Sequence, residues 1–250
     1  MANKLFGSSN PMMKEESFKP KYDASGMMID RGESELMTVN GAVNKTLLLF
    51  SMMMFTTAIA WFMPSMFLLY VGAGGGFVAL LIATFKPHLA PYIAPLYALL
   101  EGLFVGTISV MYAAAFDGIV LQAVGLTFGT LFMMLAIYKS GLIKVTQKFR
   151  MGVAMATGAV FFLYLFGWIG HFVGFDVPML HSTGMLGIGV SAAIIVIASL
   201  NLLLDFDMFE RGEKEGAPAH MEWFAAMGLL VTLIWLYIEF LRLLSKLQRD

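Results

Sequence analysis

Residues 199–244 read SLNLLLDFDMFERGEKEGAPAHMEWFAAMGLLVTLIWLYIEFLRLL. Two apolar runs flank a short charged segment, and acidic residues lie where the runs meet it: Asp205, Asp207 and Glu222. A further acid, Glu239, lies inside the second run. Because a carboxylate within hydrocarbon is costly, acids at this depth of a membrane protein indicate a functional site.

The whole chain has the composition of a membrane protein. Its 250 residues are 59% hydrophobic and 13% charged, whereas a soluble globular domain is about 25% charged. The net charge of −1 argues against a nucleic-acid-binding surface. The absence of cysteine excludes disulfides, thiolate nucleophiles and cysteine-bound metal centres. The sequence therefore predicts an all-α, polytopic membrane protein.

Seven apolar runs are long enough to cross a membrane, which takes about 20 residues. The predicted helices cover residues 45–61, 65–85, 90–112, 119–138, 151–173, 184–204 and 222–244. Residues 1–44 are polar, mixed in charge and unlike a signal peptide. We expect a flexible polar cytoplasmic tail at 1–44, or alternatively a docking segment there, and a seven-helix transmembrane domain at 45–250.

The distribution of Lys and Arg predicts the orientation. These residues lie before the first helix and in the second, fourth and sixth connections, and the other three connections have none. The positive-inside rule then places the N-terminus in the cytoplasm. Seven crossings would put Arg242, Lys246 and Arg249 outside, against that rule. The last helix therefore either crosses regardless or re-enters the membrane.

Glycines spaced four residues apart indicate close helix contacts, because they let two backbones approach each other in lipid. Four such pairs together predict a compact bundle: Gly72/Gly76, Gly102/Gly106, Gly125/Gly129 and Gly170/Gly174.

Glu101 interrupts the third apolar run near its middle. A charged carboxylate there would be expensive, so we expect this acid to be protonated, paired or in contact with water. Two interpretations stay open: a ligand for a proton or cation, and a neutral acid hydrogen-bonded to neighbouring backbone.

Asp205 follows Asn201 by one helical turn, on the same face. Their oxygens suit a hard cation, so we expect Asp205 to bind Ca²⁺ transiently. A carboxylate at the end of the sixth helix opposes the helix dipole, and Arg211, a cation or a proton should compensate. Asp207 is expected to be a solvated helix end.

Glu222 begins the seventh helix, where the dipole favours an acid and a capping role is the plain interpretation. It also borders the same connection as Asp205, so the two carboxylates could meet, share a proton and sense pH. Glu239 precedes Arg242 by three residues, which predicts a local ion pair.

Motifs for catalysis are missing. The histidines form no metal-ligand pattern, and there is no glycine-rich phosphate loop or nucleophile elbow. An intramembrane hydrolase is remote, because the seventh helix would carry Glu239 about 25 Å from the connection near Asp205. The sequence predicts a protein without enzymatic activity and without a cofactor.

The segments LNLLLDFDMFERG, MEWFAAMGLLVTLIWLYIEFLRLLSKL and YALLEGLFVGTIS resemble the Bax inhibitor-1/YccA (transmembrane Bax inhibitor motif) family, in particular its bacterial branch with a long polar N-terminal tail. The resemblance implies seven helices with the last in the centre, and a location in the bacterial inner (plasma) membrane. It also implies a pH-sensitive calcium leak gated by an aspartate pair between helices 6 and 7.

The match to that gate is partial. The helix 6 aspartate of the family falls on Asp205, but alignment on LRLL puts Thr232 where the helix 7 aspartate would be. The family's helix 2 glutamate is also absent, since this helix reads VGAGGGFVALL. Glu101 is the candidate substitute.

Two hypotheses follow. In the first, the protein is a leak channel for Ca²⁺ or a Ca²⁺/H⁺ exchanger, with Asp205 as the gate and Glu101 and Glu222 as partners. In the second, it is an interaction protein that modulates a membrane-bound ATP-dependent protease or a stress response through its N-terminal tail. The oligomeric state stays open.

Overall fold

A computed structural model describes residues 36–173 and 184–249. Within these ranges the chain forms seven long helices, each apolar enough to cross a membrane. They are α1 (Val39–Phe62), α2 (Met66–Phe85), α3 (Ala90–Ala115), α4 (Ile119–Ser140), α5 (Gln147–Val173), α6 (Met185–Lys214) and α7 (His220–Leu247). A 3₁₀ turn, Pro87–Leu89, precedes α3. The predicted all-α, polytopic architecture is confirmed. The predicted flexibility of the tail before residue 36 and the role of Gly174 lie outside the described residues.

The helix α6 is longer than predicted. It continues past Asp205 and Asp207 to Lys214, so neither aspartate lies at the helix end. The end of the apolar run is not the end of the helix, because the charged last turns are supported by pairs four residues apart, such as Lys214–Glu210 at 3.0 Å. Gly216, at φ 65°, then ends the helix in the left-handed conformation that glycine adopts readily.

The helix α1 begins six residues before the predicted start, at Val39. Thr38 caps it, because its hydroxyl accepts a 2.9 Å hydrogen bond from the backbone N–H of Gly41. The polar residues before Lys45 are compatible with a helix; they only end the apolar pattern on which the prediction relied.

Glycines bring α3 close to two neighbouring helices. A Cβ at Gly72 of α2 would lie 2.6 Å from the backbone oxygen of Leu100 in α3. Gly102 of α3 is packed equally closely against Met53 in α1. By contrast, Gly125 and Gly129 of α4 face open space, so the predicted close contact there is wrong. Sequence spacing does not tell which face of a helix meets a neighbour.

The last helix is the centre of the described bundle. In its most apolar window 72% of the residues are buried, compared with 11–44% in the other six helices. It packs against α1, α3, α4 and α6, because its side chains are apolar around most of the helix circumference. The expected central position is confirmed.

The helix α7 crosses the bundle once. It is unbroken over 28 residues, about 42 Å at 1.5 Å per residue, and re-entry would need a reversal of the chain. The basic residues near its end make local interactions: Arg242 pairs with Glu239 at 2.9 Å, and the Arg249 guanidinium lies 5.5 Å from the Phe116 ring centre. Both basic groups therefore contact protein, and the side of the membrane on which they lie stays a prediction.

Candidate functional site

The carboxylate of Asp205 points from α6 towards the central helix. One of its oxygens, Oδ2, is buried and has no hydrogen-bond partner among the described residues. The Thr232 hydroxyl of α7 lies between two acceptors, this carboxylate and the backbone oxygen of Gly228, which is 3.3 Å away. An acceptor buried without a donor is costly, so this oxygen is the strongest candidate for a bound proton or cation.

Arg211, expected to compensate Asp205, has other partners. Its guanidinium lies 3.8 Å from Asp207 and 3.2 Å from Glu215. Asp207 also pairs with Arg150 of α5 at 3.1 Å, and its side chain is 14% exposed. The prediction of a solvated Asp207 is therefore wrong, because α5 begins close enough to supply a cation. Asp205 is left without a basic partner in the described part of the chain.

The position of Thr232 agrees with the alignment. It lies beside Asp205, where the resemblance implies the second aspartate of the pair. Threonine offers a hydroxyl there and no charge. The site in this chain is therefore a single carboxylate facing a neutral donor.

Glu101 lies at a different interface. Its carboxylate fills the space left by the missing side chain of Gly76 in α2, and the Tyr97 phenol, one turn earlier on α3, is its hydrogen-bond partner. An acid from α3 thus lies against the glycine-rich stretch of α2, which has no acid of its own. No contact joins Glu101 to Asp205 in the described ranges.

Glu222 is buried and fully engaged by the start of α1. It accepts hydrogen bonds from the Thr38 backbone N–H at 2.8 Å and from the Thr38 hydroxyl at 3.1 Å. The Lys45 ammonium pairs with its other oxygen at 2.7 Å. Gly41 makes room for the carboxylate, since any Cβ there would collide with it. The role of Glu222 in this structure is to anchor α1 onto α7.

The expected meeting of Glu222 and Asp205 does not occur. Asp205 lies beside Gly228 and Thr232, which follow Glu222 on α7 by about 9 Å and about 15 Å at 1.5 Å per residue. The longer α6 explains the separation, because Asp205 lies more than two turns before its end.

Glu239 forms the predicted pair with Arg242, at 2.9 Å, and this prediction is confirmed. The hydroxyl of Tyr164 in α5 joins the pair, donating to the Glu239 carboxylate at 2.6 Å and contacting Arg242. Glu239 is 1% exposed, and its second oxygen, Oε2, is buried without a partner among the described residues. The pair is thus an interhelical contact as well as a local one.

Two further polar contacts tie α6 to its neighbours. The Asn201 amide donates to the Thr157 hydroxyl of α5 at 2.8 Å, so this group is engaged by protein. The Lys246 ammonium is buried and donates to the Ser191 hydroxyl and to the Gly187 carbonyl, both at 2.9 Å. These contacts connect the middle and the start of α6 to α5 and α7.

Together these groups form a polar series along α5, α6 and α7, which we call the polar seam. It contains four groups in order along α6 from its end to its start, which are Asp207 with Arg150, Asp205 with Thr232, Asn201 with Thr157 and Ser191 with Lys246, and a fifth group between α5 and α7, which is Glu239 with Tyr164 and Arg242. Across the described ranges, no group of three or more His, Cys, Asp or Glu side chains could hold a metal ion. The seam combines carboxylates and neutral polar groups with the basic side chains of Arg150, Arg242 and Lys246.

Several members of the seam were not singled out in the sequence. Tyr164 and Thr157 are single polar residues in an apolar run, a pattern also typical of helices that simply face lipid. Lys246 near a helix end indicates a solvated cation by default. A signal did exist for Tyr164 and Thr157: they lie seven residues apart, on one face of α5.

The chain matches a model of the Bax inhibitor 1 like proteins over residues 10–249. The chain belongs to this family. Among curated proteins none matches it significantly. Family membership and seven apolar helices together make it an integral membrane protein. The resemblance drawn from the segments around Asp205 and Glu101 is confirmed at the level of the family.

Proposed function

We propose that this Bax inhibitor 1 like protein is a pH-sensitive calcium leak channel or Ca²⁺/H⁺ exchanger in which Asp205 is the gate. The observation that carries the proposal is the buried Asp205 oxygen without a hydrogen-bond donor, placed against the central helix at Thr232. A carboxylate is a ligand for Ca²⁺ and an acceptor for a proton, so the two compete for one group. That competition is the simplest source of pH sensitivity in ion passage.

The polar seam supports this proposal. Ion passage requires polar groups along the path that bind weakly enough to release the ion. The seam supplies carboxylates, hydroxyls and an amide along α6 from Ser191 to Asp207, and two of its carboxylate oxygens lack donors. Glu101 contributes a separate acid between α2 and α3. We place it in a supporting role, and Glu222 in the anchoring of α1.

Calcium entry into liposomes tests the proposal. Purified wild type and Asp205→Asn are reconstituted with a trapped dye and followed from mildly acidic to mildly alkaline pH. We expect a flux in the wild type that changes with pH and a flattened profile in Asp205→Asn. Asp117→Asn, which alters an exposed acid in the connection between α3 and α4, is the matched control.

Two results would refute the proposal. Folded wild-type protein that passes no more Ca²⁺ than empty liposomes at any pH would exclude a channel. Flux that keeps its pH profile in Asp205→Asn would move the gate to Glu101 or to the unpaired oxygen of Glu239.

A tail-mediated interaction is the second candidate, and one observation favours it. The segment that follows the tail is attached to the α6–α7 connection: the Met37 N–H donates to the Ala217 carbonyl at 2.7 Å, and the Val39 N–H donates to Glu213 at 3.1 Å. A displacement of the tail by a bound protein would therefore be transmitted to the end of α6 through these hydrogen bonds. The resemblance suggests a membrane-bound ATP-dependent protease as the partner, with the tail in the cytoplasm of a bacterium and the helices in its inner membrane.

Deletion of residues 1–35 separates the two candidates while it keeps the attached segment. A leak that depends on Asp205 survives the deletion. Co-purification with a membrane-bound protease is lost if the tail carries the interaction. If the deletion abolishes the flux and co-purification is retained, the tail is needed for the leak and does not carry the interaction. That result would contradict both assignments.

A further inference from the structure

A groove of about 430 Å³ opens between α1 and α4. Its floor is formed by α3 and by the central helix, and its walls come from the second half of α1 and the first half of α4. The residues that the argument uses are Phe50, Ala58 and Trp61 on α1, Val124 and Phe128 on α4, and Tyr237 on α7. Pockets of about 300–1,000 Å³ hold small ligands.

We propose that this groove binds one acyl chain of a membrane phospholipid. The inference is independent of calcium transport, because none of the residues that line the groove belongs to the polar seam. It rests on the polarity, shape and position of the groove.

The hydroxyl groups that line the groove donate no hydrogen bond to an occupant, because each of them is hydrogen-bonded within the protein. The Ser109 and Tyr237 hydroxyls bond to each other at 2.7 Å. The Thr57 hydroxyl donates to the Gly102 carbonyl at 3.2 Å, and the Thr127 hydroxyl donates to the Ala123 carbonyl at 2.8 Å. A cavity needs polar partners to hold water. The lining therefore selects an apolar occupant.

An aromatic contact joins the two walls of the groove at the end away from Trp61. The Phe50 and Phe128 rings meet edge to face, with centroids 5.7 Å apart, and join α1 to α4. A second helix, about 10–12 Å wide, has no room to continue past this contact. A single flexible chain that lies in the groove from the Trp61 end would stop at this contact.

The length and position of the groove match one leaflet of a bilayer. From Phe50 to Trp61 along α1 is about 16 Å at 1.5 Å per residue, and half of the hydrocarbon core is about 15 Å. Trp61 lies at the other end of the groove, next to the last residue of α1, and is 40% exposed. Tryptophan prefers the interface between hydrocarbon and head groups. A lipid whose head group lies near Trp61 would place its chain along the groove.

The occupant would support the central helix. Leu233, Ile234 and Tyr237 of α7 line the groove, directly after Thr232 in the chain. An acyl chain packed against them fills a space beside the helix on which the bundle is assembled, and a void in its place would cost contacts.

Photolabelling tests this inference. The full chain is reconstituted into phosphatidylcholine liposomes that contain phosphatidylcholine with a diazirine in one acyl chain. After irradiation, mass spectrometry of peptides locates the adducts. We expect adducts on the floor of the groove, at Val105 in α3 and at Leu233 or Tyr237 in α7.

A groove-filling variant provides the comparison. Ala58→Trp places a large side chain in the groove and should lower labelling of the floor several-fold. Ala193→Trp, at an exposed alanine of α6 that does not line the groove, should leave it unchanged. If Ala58→Trp does not fold, Val124→Trp from the opposite wall replaces it.

Three results would overturn the inference. One is the absence of adducts on the floor in the wild type, with labelling confined to outward residues such as Phe55 and Leu121, which are exposed. Another is floor labelling that is equal in Ala58→Trp and wild type. The third is loss of floor labelling in Ala193→Trp to the same extent as in Ala58→Trp.

Discussion

Asp205 of α6 lies beside Thr232 of α7, so a neutral hydroxyl faces this carboxylate from the central helix. Its oxygen Oδ2 is buried without a donor. A carboxylate in this environment is unstable as an isolated charge and gains from any proton or cation that reaches it. The relationship makes Thr232 as informative a target for mutation as Asp205.

Thr232→Asp would place a second carboxylate next to Asp205. When both are ionised they repel each other, and a buried charge without a partner costs on the order of 3–5 kcal/mol. Acid relieves this cost, because one proton removes one of the two charges. We therefore expect the midpoint of thermal unfolding in detergent, relative to wild type, to fall as the pH rises.

Thr232→Asn is the matched control for this substitution, because it has the same size as aspartate and no charge. Its difference from wild type should be independent of pH. An equal loss of stability in Thr232→Asp at acidic and alkaline pH would show that the two carboxyl groups do not interact.

Glu222→Gln tests the anchoring of α1. The glutamine keeps an oxygen for the Thr38 N–H but loses the ion pair with Lys45, which the buried Glu222 carboxylate makes in the wild type. We expect a loss of about 1–3 kcal/mol in the free energy of unfolding. Thermal unfolding measures it, and hydrogen exchange should report faster exchange in the first turns of α1.

Glu210→Gln is the comparison for Glu222→Gln. It removes an exposed pair four residues apart, with Lys214, and such pairs contribute about 0.3–0.5 kcal/mol. If both variants lose the same free energy of unfolding, the buried contacts of Glu222 stabilise the protein no more than an exposed pair does, and the anchoring role is wrong.

Arg242→Met should be the most destabilising change in the polar seam. It leaves the Glu239 carboxylate, which is 1% exposed, with Tyr164 as its remaining donor. Breaking a buried ion pair by removing one partner costs about 3–5 kcal/mol. The double variant Glu239→Gln/Arg242→Met removes both charges and should be more stable than Arg242→Met alone, as measured by thermal unfolding.

A double variant that is less stable than Arg242→Met would contradict this account of the pair. That result would mean that the Glu239 carboxylate is stabilised by a group other than Arg242.

Gly72→Ala and Gly129→Ala should differ in their effect on stability, although each glycine belongs to a pair spaced four residues apart. The Cβ at Gly72 would lie 2.6 Å from the Leu100 carbonyl oxygen, whereas the Cβ at Gly129 meets nothing within 4 Å. Alanine is favoured over glycine in a helix by about 1 kcal/mol. We expect Gly129→Ala to be neutral or stabilising and Gly72→Ala to lower the unfolding temperature. Equal effects would mean that α2 and α3 can separate without cost.

The number and approximate bounds of the helices could be predicted, because an apolar run of sufficient length is a local property. The start of α1 and the end of α6 could not, because both ends extend into polar sequence. Thr38 caps the first, and the second is supported by charge pairs such as Lys214–Glu210. A hydropathy pattern detects where the apolar residues stop, and a helix stops where its backbone hydrogen bonds stop.

The partners of the acidic residues divide in the same way, into those on the same helix and those on other helices. The pair of Glu239 with Arg242 could be predicted from their spacing along one helix, and the role of Asp205 as a gate stays a prediction. The partners of Glu222, Asp207 and Lys246 come from other helices, and spacing along the chain carries no information about them.

The sequence by itself determined that this is a seven-helix membrane protein, because hydrocarbon requires long apolar runs and each helix satisfies its own backbone. Its match over residues 10–249 places it in the Bax inhibitor 1 like family. Only the tertiary structure decided which polar side chains meet across different helices. That choice depends on the depth and rotation of helices relative to one another. These are determined by packing between segments distant in the chain, as where Thr38 of α1 reaches Glu222 of α7.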